Sequence, residues 1–105
     1  MEANKIIITG GATRIGAAIA QKLSGPEKEI VIHYNKSKSK AEKLKKELSK
    51  NKTKVYLIKG DLSKEKDVNK ILKFAKTKLK YFDCLINNAS LFENDKLENF
   101  TTDSW

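Results

Sequence analysis

The run Lys5-Ile6-Ile7-Ile8-Thr9-Gly10-Gly11-Ala12-Thr13-Arg14-Ile15-Gly16 decides how the rest of the chain is read. Its first part is β-branched, with no alternation of apolar and polar residues. That is the pattern of a short strand buried on both faces of a parallel sheet. Gly10-Gly11 ends it. Ile15, Ile19, Ala20 and Leu23 then recur at helical spacing, and Gly25-Pro26 closes that helix. A glycine turn between a strand and a helix is a place for an anion. Free N–H groups and the helix dipole both point there. Gly10 permits the sharp turn, and Gly16 lets helix and strand pack closely.

Outward from this run the same alternation repeats. Glu29-Ile30-Val31-Ile32-His33-Tyr34 reads as a second strand. Ser37 is placed to cap a helix whose inward stripe is Ala41, Leu44 and Leu48. Val55-Tyr56-Leu57-Ile58 reads as a third strand, ending at Gly60-Asp61. Ser63 is expected to cap a third helix, with Val68, Ile71, Leu72, Ala75 and Leu79 facing inward. Asp83-Cys84-Leu85-Ile86-Asn87 reads as a fourth strand, and Thr101 or Thr102 as the cap of a fourth helix. Strands alternating with helices call for an α/β fold with helices on both faces of a parallel sheet. Right-handed crossovers narrow the strand order to 3-2-1-4, with the switch point between strands 1 and 4.

Composition excludes several functions. The formal charge is +9, but 21 of the 22 basic residues are lysine, and many alternate with glutamate along helical stretches. A nucleic-acid binder more often clusters arginine with aromatics, so no nucleic-acid partner is expected. No apolar run reaches the roughly 20 residues that span a bilayer, and the N-terminus lacks the form of a signal peptide. The one cysteine, Cys84, lies in an apolar run and reads as a buried, inert thiol. These features point to a cytoplasmic, non-membrane protein. No cluster reads as a metal site.

The spacing Thr9-Gly10-x-x-x-Arg14-x-Gly16 resembles the Thr-Gly-x-x-x-Gly-x-Gly of short-chain dehydrogenases/reductases, with Arg14 replacing the middle glycine. That variant is characteristic of the family's pteridine reductases. Arg14 is the sole arginine of the chain. Its planar fork can pair with a phosphate and stack on a flat ring, although it can also simply decorate the loop. Asn87-Asn88-Ala89-Ser90 resembles the family's Asn-Asn-Ala-Gly. The longer run Asn88-Ala89-Ser90-Leu91-Phe92 resembles pteridine reductases again, where Phe92 can stack on a pterin or serve as ordinary packing. Gly60-Asp61-Leu62 matches a family position at which the Asp meets an adenine amino group. The same carboxylate can equally cap the following turn.

The resemblance implies one Rossmann-like NAD(P)-binding domain over residues 1–105, truncated after the fourth strand and incomplete at its C-terminus. It implies cofactor contacts from Gly10, Thr13, Arg14, Ile15 and Gly16; from Tyr34, Asn35, Lys36 and Ser37; from Asp61 and Leu62; and from Asn88, Ala89 and Ser90. It implies substrate contacts from Arg14, Ser90 and Phe92. NAD-specific proteins carry an acid near the end of strand 2. His33-Tyr34-Asn35-Lys36-Ser37-Lys38 has none, and resembles the His-Tyr-x-Arg-Ser of pteridine reductases. Lys36 and Ser37 suit a 2′-phosphate, so the expected cofactor is NADPH, though in so lysine-rich a chain they can also be surface filler. His33, the only histidine, reads as structural at its strand end.

Family members reduce carbonyl or imine bonds with a Tyr-x-x-x-Lys pair placed after strand 4. Tyr34-x-x-x-Lys38 has that spelling but follows strand 2, on the adenosine side, and is rejected. The chain alone is therefore expected to bind cofactor without turnover, as the first part of a reductase acting on a pteridine or carbonyl. Whole family members are homo-oligomers. A non-catalytic nucleotide-binding or regulatory module is the alternative, and a basic interaction protein a more distant one.

Overall fold

The computed structural model describes residues 4–88. Four strands and three helices alternate without exception: β1 (Lys5–Thr9), α1 (Arg14–Leu23), β2 (Glu29–Tyr34), α2 (Lys38–Ser49), β3 (Lys54–Lys59), α3 (Glu65–Leu79) and β4 (Cys84–Asn87). The strands form one parallel sheet in the order β3-β2-β1-β4. This is the expected α/β, Rossmann-like arrangement. The order reverses between β1 and β4, where Ile6 pairs with Cys84 and Thr9 with Asn87. Loops leaving the carboxyl ends of those two strands must diverge, and a crevice opens between them.

Side chains of a strand alternate between sheet faces, and the isoleucine run fills both. Ile6, Ile8, Ile30, Ile32 and Val55 pack against Ala20 of α1 and Leu44 and Leu48 of α2. Ile7 and Val31 face the other way and meet Ala75 and Leu79 of α3. Hence the middles of the central strands, Ile6 to Ile8 and Ile30 to Ile32, are fully buried without any polar alternation. Cys84 is half-buried and packs at the margin of the first cluster.

Three local expectations need correction. Ile15 does not join the inward stripe of α1; it is 66% exposed, at the first turn of the helix on the ligand side of the sheet. Leu72 is 40% exposed, and α3 turns Ile71, Ala75 and Leu79 to the core instead. Ser63 does not cap α3. The helix starts two residues later, and the Ser63 hydroxyl and amide both donate to Asp61 Oδ1, at 2.7 and 2.9 Å. The reading of Asp61 as a turn-former is thus realised. Ser37 does stand at the N-cap of α2, but its side chain makes no capping hydrogen bond. The expected fourth-helix cap at Thr101 or Thr102 lies outside the described residues.

Candidate functional site

The site is assembled where β1, β2, β3 and β4 end. Thr13 is the N-cap of α1, and its hydroxyl is fully used. It donates to the Gly10 carbonyl at 2.8 Å and accepts from the Gly16 amide at 3.1 Å and from Asn88 Nδ2 at 3.0 Å. A hydroxyl has one proton and two lone pairs, so nothing is left over. The Gly10 carbonyl also accepts from the Thr13 amide and, at 3.2 Å, from Asn88 Nδ2. Three donors therefore converge on one oxygen. Gly10 itself sits at φ +64°, a conformation natural to glycine.

This arrangement leaves no room at Gly16. A Cβ there would collide with the Gly10 carbonyl, and would lie 2.7 Å from Gly11 Cα and 2.8 Å from Asn88 Nδ2. The cap takes up the Gly16 amide and leaves the first two N–H groups of α1, on Arg14 and Ile15, outside it. Those two groups, at the positive end of the helix dipole, are what a phosphate would meet. The Arg14 side chain beside them is exposed.

Asn88 is the counterpart across the switch point. Its amide donates to Thr9 Oγ1 and to the Thr9 carbonyl, at 3.1 and 3.2 Å, so the end of β4 is fastened to the end of β1. Thr9 Oγ1 in turn donates to Asn87 Oδ1 at 2.9 Å. Asn87 Nδ2 is buried, with no hydrogen-bond partner among the described residues.

The adenosine side is built around the Tyr34 and Gly60 backbones. The Gly60 amide donates to the Tyr34 carbonyl at 3.0 Å, which holds the segment after β2 beside the segment after β3. Asp61 is half-buried, and Ser63's hydroxyl and amide hold its carboxyl below the usual carboxylate range. Lys64 and Lys36 act in the same direction, which places Lys36 within electrostatic reach of Asp61. Both Ser63 bonds go to Oδ1. The Asp61 amide donates to Asp67 Oδ2 at 2.8 Å, so α3 braces the turn from below. Leu62 is buried against Ile71.

The structure thus brings Gly10, Thr13, Gly16 and Asn88 into one hydrogen-bonded unit, with Arg14 and Ile15 on its outer rim. Tyr34, Asn35, Lys36 and Ser37 lie at the end of β2 next to Asp61. Ala89, Ser90 and Phe92 are outside the described residues. Two residues were missed by the sequence reading. Lys40 and Lys43, on α2, line a groove with Ala12, Thr13, Arg14 and Ala17 at the α1–α2 junction. Their spacing on α2 from Leu44 and Glu47 was a signal, obscured by the number of lysines around them.

A parallel sheet with a capped glycine loop at its switch point defines a nucleotide-binding α/β protein. The comparisons with known proteins narrow this. Residues 4–105 match the sequence profile of the short chain dehydrogenases. The chain belongs to that family. It is 29% identical over 99 residues to the short-chain dehydrogenase/reductase FrzI of a Cladobotryum species, covering 94% of this chain and 38% of that protein. Among solved structures, a short-chain dehydrogenase from Oenococcus oeni is 31% identical with a TM-score of 0.73, covering 98% of this chain and 50% of that one. The FolM alternative dihydrofolate reductase 1 of Brucella canis, solved in complex with NADP, is 32% identical with a TM-score of 0.72. That likeness covers 84% of this chain and 35% of the other. The chain therefore spans between about a third and a half of the proteins it matches. Among the described residues no helix is long and apolar enough to cross a membrane.

Proposed function

We propose that residues 1–105 form the NADPH-binding part of a short-chain dehydrogenase/reductase whose whole chain reduces a pteridine or carbonyl substrate. The observation that carries this is the cradle at Gly16, where helix, loop and Asn88 approach too closely for any side chain. Such a cradle brings the N-terminus of α1 against a phosphate, as a dinucleotide requires. The residues present fit the cofactor. The Arg14 and Ile15 amides would hold the pyrophosphate, with Gly10, Thr13 and Gly16 shaping the loop around it; Asp61 and the Leu62 amide would hold the adenine; and Asn88, with Ala89 and Ser90 following it, the nicotinamide ribose. When bound, the nicotinamide supplies the hydride.

The choice of NADPH over NADH rests on the end of β2. Tyr34, Asn35, Lys36 and Ser37 offer no carboxylate to a ribose diol, and Lys36 offers a charge to a 2′-phosphate. Arg14, Lys40 and Lys43 outnumber the one carboxylate, Glu47, along the adjoining groove. The NADP complex of the FolM relative supports the same choice. Arg14, Ser90 and Phe92 are the substrate-side residues of this proposal, and the pteridine assignment rests on them and on the FolM likeness. Taken alone, residues 1–105 bind the dinucleotide without turning it over, because their Tyr34-x-x-x-Lys38 lies on the adenosine side.

A fluorescence titration of the full chain tests the reading. NADPH binding at least about tenfold tighter than NADH is expected, since one well-placed phosphate contact is worth that much. Equal affinities would overturn the cofactor assignment.

A further inference from the structure

His33 ties the two halves of this site together from inside the sheet. Its ring is 1% exposed, at the end of β2 between β1 and β3. Nδ1 lies 3.0 Å from the Gly10 amide, and Nε2 lies 2.7 Å from the Gly60 carbonyl. The partners fix the tautomer. A carbonyl can only accept, so Nε2 carries the proton; an amide N–H can only donate, so Nδ1 is bare. One neutral ring thus spans the glycine turn after β1 and the turn after β3 that leads into Asp61. The backbone of the same residue repeats the tie, with the Gly11 amide donating to the His33 carbonyl at 3.0 Å.

We propose that His33, as the neutral Nε2–H tautomer, is a positioning residue for the dinucleotide, holding the phosphate loop and the Gly60–Asp61 turn at a fixed separation, so that affinity is lost when the ring gains a second proton. The inference rests on the dinucleotide reading above. Its mechanism is steric and electrostatic. A proton on Nδ1 would face the Gly10 N–H across 3.0 Å, donor against donor. Gly10 would have to withdraw, and its carbonyl is the acceptor on which Thr13 and Asn88 converge. The disturbance therefore reaches the cap of α1 directly.

The charged groups facing the ring come from the β3–α3 side. Asp61 and Asp67 favour protonation, and Lys70 on α3 opposes it. The loop after β1 meets the ring with the Gly10 amide. Burial outweighs the carboxylates and moves the ring below its ordinary value of 6.5. With the folded value lowered, the neutral ring prevails at pH 7, and the tie is lost as pH falls through that lower value.

The test uses the full chain and NADP, whose own 2′-phosphate titrates near about pH 6 and must be subtracted. Dissociation constants are measured from pH 8 to pH 5 for wild type, His33→Gln and His33→Phe. A glutamine amide can accept from Gly10 or donate to Gly60 and does not titrate; phenylalanine fills the space and makes neither bond. At pH 8, His33→Phe should bind about tenfold or more weakly than wild type, with His33→Gln recovering much of the loss. Once pH is below the ring's lowered value, wild type should lose about tenfold more affinity per pH unit than His33→Gln, which shares the phosphate titration but not the ring. Superimposable pH profiles, or full affinity in a folded His33→Phe, would overturn the proposal. Wild type that binds no NADP at any pH would overturn the dinucleotide reading itself. Should both variants fail to fold, ring ¹⁵N shifts of the wild type decide. An Nε2–H tautomer whose protonation moves together with loss of NADP supports the proposal, and an Nδ1–H tautomer or independent titration sinks it.

Discussion

The two ends of the sheet are fastened by different chemistry. At the amino end the ties are charged, and they are exposed at Asp83 and half-buried at Lys5 and Glu29. Asp83 accepts from the Asn4 and Lys5 amides at 3.0 and 2.9 Å, Lys5 Nζ lies 3.7 Å from Glu29, and the same ammonium sits 4.4 Å over the Tyr81 ring. At the carboxyl end the ties are neutral and run from the exposed Thr13–Asn88 bond through the part-buried Gly10 carbonyl to the buried His33 ring. Ion pairs and charged bonds near the surface tolerate looseness and contribute little each. Enclosed neutral bonds demand geometry, because a partner lost there leaves a desolvated group behind. The end that must hold a ligand in register is thus the end built from bonds that do not tolerate looseness.

That contrast can be broken most severely at Gly16. Gly16→Ala forces a methyl against backbone on two sides, and should cost about 1–3 kcal/mol of stability while abolishing measurable NADPH binding. Chemical denaturation and a binding titration read the two effects separately. A variant that bound NADPH normally would show the cradle to be irrelevant. Next come Thr13→Ala and Asn88→Ala. Each removes one member of the shared unit and should cost about 1 kcal/mol or somewhat more. In a double-mutant cycle the two should be clearly non-additive, since Asn88 Nδ2 and the Thr13 hydroxyl are partners. Strict additivity would mean that the carboxyl-end unit is not a unit.

A charge change at the same end should act on specificity alone. Lys36→Glu is expected to weaken NADPH by about tenfold or more and leave NADH within a factor of a few, with stability changed by less than about 0.5 kcal/mol. Parallel titrations with the two cofactors check it. The smallest effect should come from the amino end. Asp83→Asn weakens ties to the Asn4 and Lys5 amides, which hold the Asp83 carboxyl below its ordinary 3.8. A depressed carboxylate contributes stability above the unfolded value and loses it as pH falls through the folded one. Wild type and variant should therefore differ slightly at pH 7 in thermal unfolding and converge as pH falls through the folded value, below 3.8, with equal NADPH affinities at pH 7.

The sheet was legible because isoleucine runs carry a strong local signal. Lys5–Thr9 and Glu29–Tyr34 are found at the residues read for them, and Gly10-Gly11 marks the end of the first. The glycine loop was legible for the same reason. Errors arose where one residue type serves two purposes. Ile15 looks like core by spacing, yet it stands in the first turn of α1, clear of the sheet. Ser63 looks like a cap, yet Asp61 two residues earlier competes for its hydroxyl and amide. Leu72 follows Ile71, and a helix can bury only one of two adjacent positions deeply. His33 was legible as structural but not as a bridge, because both partners of its ring are backbone groups 23 and 27 residues away, in the turns that follow the neighbouring strands. Lys40 and Lys43 were hidden in a composition that made any lysine unremarkable.

Asn88 carries a consequence in time as well as in space. Its two side-chain bonds reach back across 78 residues to Gly10 and 75 to Thr13. On a ribosome, the turn after β1 emerges early and its own helix can form from local residues. Its geometry is completed only when β4 has been made and has slotted in beside β1. Contacts of such long sequence separation form late, because chain closure must precede them. Nucleotide in the cell would then meet this polypeptide as a competent receptor only after β4 has docked, and would stabilise that docking step by mass action.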